Sequence, residues 1–292
     1  MALSLGNIAI GAEGLYLGDI LIGTDNIKQS IAPPGPITID WLVVGAGGGG
    51  GFRGVEVDYY GGGAGGAGGV QTGSAIIQPN STLEVQVGKG GSGATTYFGT
   101  TSPGVGSTLI IGVTAYAGMG GGRGGTGNGG NVQGGNGGSG GGGASLWSSG
   151  GSSVINAAGG AAEQVAIYGG FGQPGCAGGT SFAQRNGGGG GTSVAASNTN
   201  CPTRYTPGYI WLDGGQYAIG GDAGSTDALP GGAIGWGGNC NVDGSGGGVQ
   251  IRYTGTPVAT GGIVYQLGGY TYHLFTYSGV DPQYISYFVY NP

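Results

Sequence analysis

The chain reads as a mostly β and irregular protein. Short β-hairpins at both ends frame a glycine-rich body of packed polyglycine II-type helices. Three observations predict this. Gly fills 82 of 292 positions, and glycine costs about 0.8–1.0 kcal/mol per residue against Ala in a helix. Apolar runs bordering the glycine tracts alternate with period two. Within the longest tract, side chains recur every third residue.

The opening residues are one phrase written twice, "LSLGNIAIG" (Leu3–Gly11) and "LYLGDILIG" (Leu15–Gly23). Leu3, Leu5, Ile8 and Ile10 alternate, as do Leu15, Leu17, Ile20 and Ile22. Gly6-Asn7 and Gly18-Asp19 carry the chemistry of two-residue hairpin loops. A lone hairpin is marginal in water, so these eight apolar residues need cover. Either they belong to the main fold or they dock on another protein. The stiff "APPGP" stretch that follows favours docking. The expected organisation is a β-hairpin attachment module over 1–31, a Pro-rich linker over 32–36 and a glycine-rich body over 37–255. An aromatic-rich β-module over 256–292 completes it.

Framing strands are expected at 37–44 ("ITIDWLVV"), and as a pair at 74–78 and 82–87 around Pro79-Asn80. Others are expected within "STLIIGVTAYAG" and at 249–254. Between them runs the tract 118–143, where Arg123 and Thr126 are three apart, as are Gln133, Asn136 and Ser139. Two bare positions in three leave two edges of a three-residue-per-turn helix free for close backbone approach. Ordering such a tract costs about 1–2 kcal/mol per residue, against about 0.5–1.5 kcal/mol per hydrogen bond. Strands must therefore clamp its ends; without them it would be a flexible linker.

Composition narrows the function. Seven Lys+Arg against thirteen Asp+Glu give a net charge of −6, which does not attract nucleic acid or anionic membrane. No apolar run approaches a membrane span of about 20 residues, so no membrane insertion is expected. Nor is a signal peptide expected. Cys176, Cys201 and Cys240 allow one disulfide and a thiol, or three thiols; three thiols are expected for assembly in a cytosol. With one His there is no metal-ligand cluster, and no cofactor is expected. His273 sits in an alternating strand, not in a catalytic setting. The glycine runs lack the Gly-Lys-(Ser/Thr) ending of a phosphate loop. Glu56, Asp58, Asp213, Asp222 and Asp227 fall in loop-like surroundings, so sugar cleavage trails as a reading.

Several motifs in order carry a resemblance. "IDWLVVGAGGGGG" (Ile39–Gly51), "GGGAGGAGGV" (Gly61–Val70), "LEVQVGKGGSG" (Leu83–Gly93) and "GGGVQIRY" (Gly246–Tyr253) together resemble the glycine-rich domain of bacteriophage tail-fibre and adhesin proteins. The C-terminal "GGYTYHLFTYSG" (Gly268–Gly279) is similar to a hairpin that often precedes such domains, but here it follows. The resemblance implies a virion appendage, assembled in the host cytoplasm and located in the virion. It would attach to baseplate or tail proteins and to copies of itself, as a trimer. It would contact a host surface glycan or outer-membrane protein. The alternative is a purely structural virion component. No enzyme activity is implied.

Aromatics between the glycine runs are the receptor-binding candidates. These are Trp147, Phe171, Arg204, Tyr205, Tyr209, Trp211, Tyr217 and Trp236. Rigid rings bring contact area at low entropy cost. Trp147 and Trp236 equally suit plugging the glycine bundle, and Trp211, within "YIWL", could pack inward as a strand residue. The tyrosine-rich C-terminus suits a subunit interface.

Overall fold

A computed structural model of the chain describes residues 8–11, 14–17, 20–22, 35–52, 60–93, 101–112, 114–120, 122–125, 133–147, 153–164, 171–177, 189, 207–223, 225, 227–231, 233–279 and 281–292. The chain divides into two units, Met1–Pro36 and Ile37–Pro292. Every sheet is antiparallel, and no helix occurs among the described residues.

The first unit holds three strands, β1 (Ile8–Gly11), β2 (Gly14–Leu17) and β3 (Ile20–Ile22), in one antiparallel sheet of order β1-β2-β3. The hairpin expected around Gly18-Asp19 is β2–β3. Leu3 and Leu5 lie outside the described residues. The repeated phrase is thus joined through β1–β2 into one meander, which shares its hydrogen bonds better than two separate hairpins.

The second unit contains β4 (Ile37–Val44), β5 (Tyr60–Gly61), β6 (Val70–Ile77), β7 (Ser81–Gly88), β8 (Ser107–Ile111) and β9 (Thr114–Gly118). There follow β10 (Ser145–Trp147), β11 (Ser153–Asn156), β12 (Tyr209–Ile210), β13 (Gln216–Tyr217) and β14 (Gly248–Thr254). The last four are β15 (Ala259–Thr260), β16 (Ile263–Leu267), β17 (Tyr270–Thr276) and β18 (Gln283–Tyr290). Two five-stranded sheets dominate, β16-β17-β14-β4-β6 and β15-β18-β7-β8-β9. Alternate residues of both face one core, in which Ile39, Trp41, Val43, Val249, Ile251 and Phe275 of the first sheet meet Leu83, Val85, Val87, Leu109, Phe288 and Tyr290 of the second. This is the period-two logic of a β-sandwich.

Two expectations change. The strands on either side of Pro79-Asn80 do not pair with each other; β6 joins the first sheet and β7 the second. Asn80 has φ 63°. Proline followed by a positive-φ residue is type II turn chemistry, whose twist splays hairpin strands, so the turn carries the chain across the sandwich. Residues 256–292 are also not a separate module. They supply β16 and β17 to the first sheet and β15 and β18 to the second, where their alternating rings find cover. "GGYTYHLFTYSG" is the turn and strand of the β16–β17 hairpin. Gly268 and Gly269, at φ 59° and 83°, suit a two-residue type I′ turn.

Glycine tracts leave the strands directly: β4 runs into 45–51, β9 into 119–120, 62–69 into β6, and 235–247 into β14. Their hydrogen bonds rotate. Gly45, Gly48 and Gly51 donate to the carbonyls of Gly69, Gly66 and Gly63 at 2.9, 2.9 and 2.7 Å. Ala46 and Gly49 donate to Val105 and Ser102, and Gly47 and Gly50 to Ser245 and Val242. Each neighbour is met every third residue, and each runs antiparallel because its acceptor number falls as the donor number rises. Residues 63–69 repeat the pattern, with Gly63, Gly66 and Gly69 donating to Gly125, Gly122 and Met119, and Gly65 and Gly68 to Gly238 and Gly235. A strand ladder meets two neighbours; the amides of 45–51 donate to three.

The approach is too close for side chains at most positions. A Cβ on Gly65 would lie 1.9 Å from the Gly48 carbonyl oxygen. Ala46, Ala64 and Ala67 are nonetheless fully buried; Ala64 packs with Ala223 and Cys240. Cys240 is a buried thiol that donates to the Gly62 and Ala223 carbonyls, whereas Cys176 is disulfide-bonded. The three-thiol expectation is therefore corrected to a chain holding a disulfide, which cysteine spacing alone does not decide.

Candidate functional site

The outer face of the first sheet carries a polar and aromatic row. Register aligns Tyr265, Tyr272, Arg252, Asp40 and Ser74 across β16, β17, β14, β4 and β6. Directly opposed residues share a face, so the five side chains line up across the sheet. The Tyr265 and Tyr272 rings stack at 5.0 Å and 5°. Arg252 donates from Nη1 to the Tyr272 hydroxyl at 3.3 Å and from Nε to Asp40 Oδ2 at 3.1 Å. Ser74 Oγ donates to Asp40 Oδ1 at 2.6 Å. The guanidinium carbon of Arg252 lies 4.2 Å from the Tyr270 ring centroid and 5.9 Å from that of Trp211. The side chains of Arg252 and Asp40 remain 12% and 29% exposed.

The β12–β13 hairpin walls one side. Trp211 is buried, donates from Nε1 to Thr72 Oγ1 at 3.1 Å, and meets Tyr272 edge to face at 6.3 Å. Together with Tyr217, Ala218 and Ile234 it covers Leu42, Val44 and Val70 on the sheet. That cover explains why β4 is apolar on both faces near its end. Below it lies a hydrogen-bonded group: the Tyr217 hydroxyl is 2.6 Å from Asp213 Oδ2 and 2.7 Å from Gln250 Oε1, and Gln250 Nε2 donates to Asp213 and to the Tyr265 hydroxyl. Burial and then the Asp213 carboxylate push the Tyr265 phenol up to about 12, and the same two causes raise that of Tyr217. For Arg252, burial opposes the charge, but hydrogen bonds to Tyr272 and Asp40 outweigh it and raise the pKa. The Tyr217 and Tyr265 phenols are thus neutral and Arg252 is charged over the physiological range.

The expected receptor residues separate. Phe171 and Tyr209 stack at 5.0 Å and 25°, with Phe171 exposed and Tyr209 half-buried. Exposed Ile210 and Leu212 adjoin Tyr209 in the chain. Trp211 and Tyr217 are corrected to core residues that support the wall. Trp211, just after β12, and Tyr217, on β13, pack their rings onto the sheet and offer little surface to a partner. Trp236 is half-buried, and its carbonyl accepts from the Ser245 amide within the glycine lattice. Trp147 lies on β10, and its side chain lies outside what the structure describes. Arg204 and Tyr205 lie outside the described residues. Ile8, Ile10, Leu15, Leu17, Ile20 and Ile22 lie on β1–β3.

Sequence reasoning missed Asp40, Ser74, Arg252, Tyr265, Tyr270 and Tyr272 as one site, because they come from five strands, with Asp40 and Tyr272 232 positions apart. One signal was present: Asp40 and Arg252 are lone opposite charges inside apolar framing strands.

Comparison with known families finds no family model that matches the chain, and comparison with curated proteins finds no match.

Among the described residues no group of three or more His, Cys, Asp or Glu could hold a metal ion, and no helix is long and apolar enough to cross a membrane. In the row Asp40 accepts from Ser74 and Arg252.

Proposed function

We propose that the chain is a phage tail fibre or related virion appendage, attached through its N-terminal unit and touching the host surface through the row on its first sheet. The observation that supports contact is the row itself. The Ser74 hydroxyl, the Asp40 carboxylate and the Arg252 guanidinium beside the half-exposed Tyr265 and Tyr270 rings, with buried Tyr272 as their support, match a polyhydroxylated ligand, which offers donors and acceptors on its edge and C–H groups on its face. Asp40 and Asp213 around one Arg252 disfavour an acidic sugar and favour a neutral one. The Phe171–Tyr209 stack is a second ring surface for the same purpose. Partners in this reading are a host surface glycan, baseplate or tail proteins, and copies of the chain.

The body is proposed to be a bundle of polyglycine II-type helices. The support is the rotation of amide donors among three neighbours with period three, which a three-residue-per-turn helix produces and a β-ladder does not. Such a bundle would hold the row on a rigid support.

The test is binding of the purified full chain to surface polysaccharides of candidate hosts. Tyr270→Ala and Phe171→Ala should each weaken binding about tenfold, the scale of one stacked ring, with circular dichroism unchanged. Wild-type protein that binds no host glycan and does not compete with particle adsorption would overturn the contact reading and leave a structural virion component.

A further inference from the structure

We propose that the outer edge of β16 pairs antiparallel with the β16 edge of a second copy of this chain, across a twofold axis at Tyr265. β16 ends the first sheet, and β17 is its one strand partner among the described residues. Its apolar side chains stand in solvent, with Ile263 62% and Leu267 50% exposed and Val264 also exposed. Edges of this kind template further pairing, and proteins that avoid it place charge, proline or a bulge there. "IVYQL" has none, and from Gly255 to the C-terminus Asp281 is the only acidic residue, with no Lys or Arg.

The occupant follows from the pattern of the strand itself. Antiparallel pairing centred on Tyr265 sets Ile263 opposite Leu267, Val264 opposite Gln266, and Tyr265 opposite its own copy. Apolar meets apolar on the outer face, a ring meets a ring on the axis, and no like charges oppose each other. Cross-strand pairs of these kinds contribute about 0.2–1 kcal/mol each. The other edge of the same sheet, β6, is a poorer self-partner: its residue Val70 already exchanges hydrogen bonds with Phe171.

Pairing has a consequence for recognition that rests on the glycan reading. Tyr265 is the end of the row, so the axis joins two rows end to end in one sheet. Ten strands at about 4.8 Å spacing make a line of roughly 45 Å, from Ser74 of one copy to Ser74 of the other. A repeating polysaccharide could engage both halves, and linked engagement raises avidity without new contacts. This twofold contact is separate from the threefold assembly implied by the resemblance.

Sedimentation equilibrium of the full chain tests the pairing. The expected mass is twice the 28.0 kDa of one chain. The double variant Ile263→Lys/Leu267→Lys and the double variant Ile263→Glu/Leu267→Glu each place like charges opposite one another, so each should sediment as a monomer with an unchanged circular dichroism spectrum. Mixed in equal amounts they should form a heterodimer, because this register sets position 263 against position 267. A monomeric wild type, or charged variants that still self-associate as the wild type does, would overturn the proposal. So would a mixture that stays monomeric. A wild type that is monomeric yet binds glycan would remove the pairing and leave the proposed function standing.

Discussion

At the scale of single residues, glycine and histidine carry the sharpest consequences. Gly65 sits where a Cβ would fall 1.9 Å from the Gly48 carbonyl oxygen, while Gly231 has nothing within 4 Å of the same atom. Gly65→Ala must push two backbones apart and lose lattice hydrogen bonds, at a cost of about 2–4 kcal/mol. Gly231→Ala should change stability little. Thermal denaturation of both variants checks this; equal melting temperatures would contradict the close packing. His273 is fully buried, with Nδ1 2.8 Å from the Gly261 carbonyl and Nε2 3.1 Å from the Tyr253 hydroxyl. That hydroxyl already accepts from the amides of Val258 and Ala259, so its proton goes to Nε2 and His273 is neutral. Burial lowers the His273 pKa, against the opposing effect of the Gly261 hydrogen bond. The unfolded chain takes up this proton near pH 6.5 and the folded chain only below that. Stability should therefore be complete above about 6.5 and decline as pH falls toward the lowered folded value. The melting temperature of wild type should drop between pH 7.5 and 5 more than that of His273→Gln; parallel curves would contradict it.

At the scale of elements, the β12–β13 hairpin depends on one anchor. Trp211 fills the space over Tyr272 and donates to Thr72. Trp211→Ala should cost about 3–5 kcal/mol, the usual range for a buried Trp or Phe, measurable by urea denaturation. A loss below about 1 kcal/mol would mean that the hairpin is held by something else. Trp211 also shows where sequence reading reaches its limit. "YIWL" offers three large residues, and alternation says that one side turns inward, but only the sheet beneath decides which. By contrast β4 was legible to the residue, since "ITIDWLVV" alternates and is stopped by glycine. β8–β9 and β14 were legible for the same reason. The crossing at Pro79-Asn80 was not, because a turn signal gives a reversal and not the sheet on which the next strand lands. The row was illegible as a site: its members are ordinary strand residues until register brings Tyr265, Arg252 and Asp40 side by side.

At the scale of the whole molecule, the two units separate at Pro36, within the proline-rich stretch that marked a linker. Removing residues 1–36 should leave the remaining unit folded, with a melting temperature within a few degrees of the full chain. In the proposed reading the truncated chain no longer joins the particle. Normal incorporation of the truncated chain would contradict the attachment role, and a collapse of stability would contradict the independence of the units. The second unit binds its glycine tracts into the sandwich: strands clamp the tract ends, and the tracts bond to one another where a side chain cannot enter. The central claim is that this glycine body is an ordered lattice and not a set of linkers between strands. Amide hydrogen exchange tests it most directly. The amides of Gly45–Gly51 and of Gly63, Gly65, Gly66, Gly68 and Gly69 all donate within the lattice. They should exchange as slowly as those of β14, through global opening. Exchange of these amides at the rate of an unstructured peptide, while β14 stays protected, would contradict the claim.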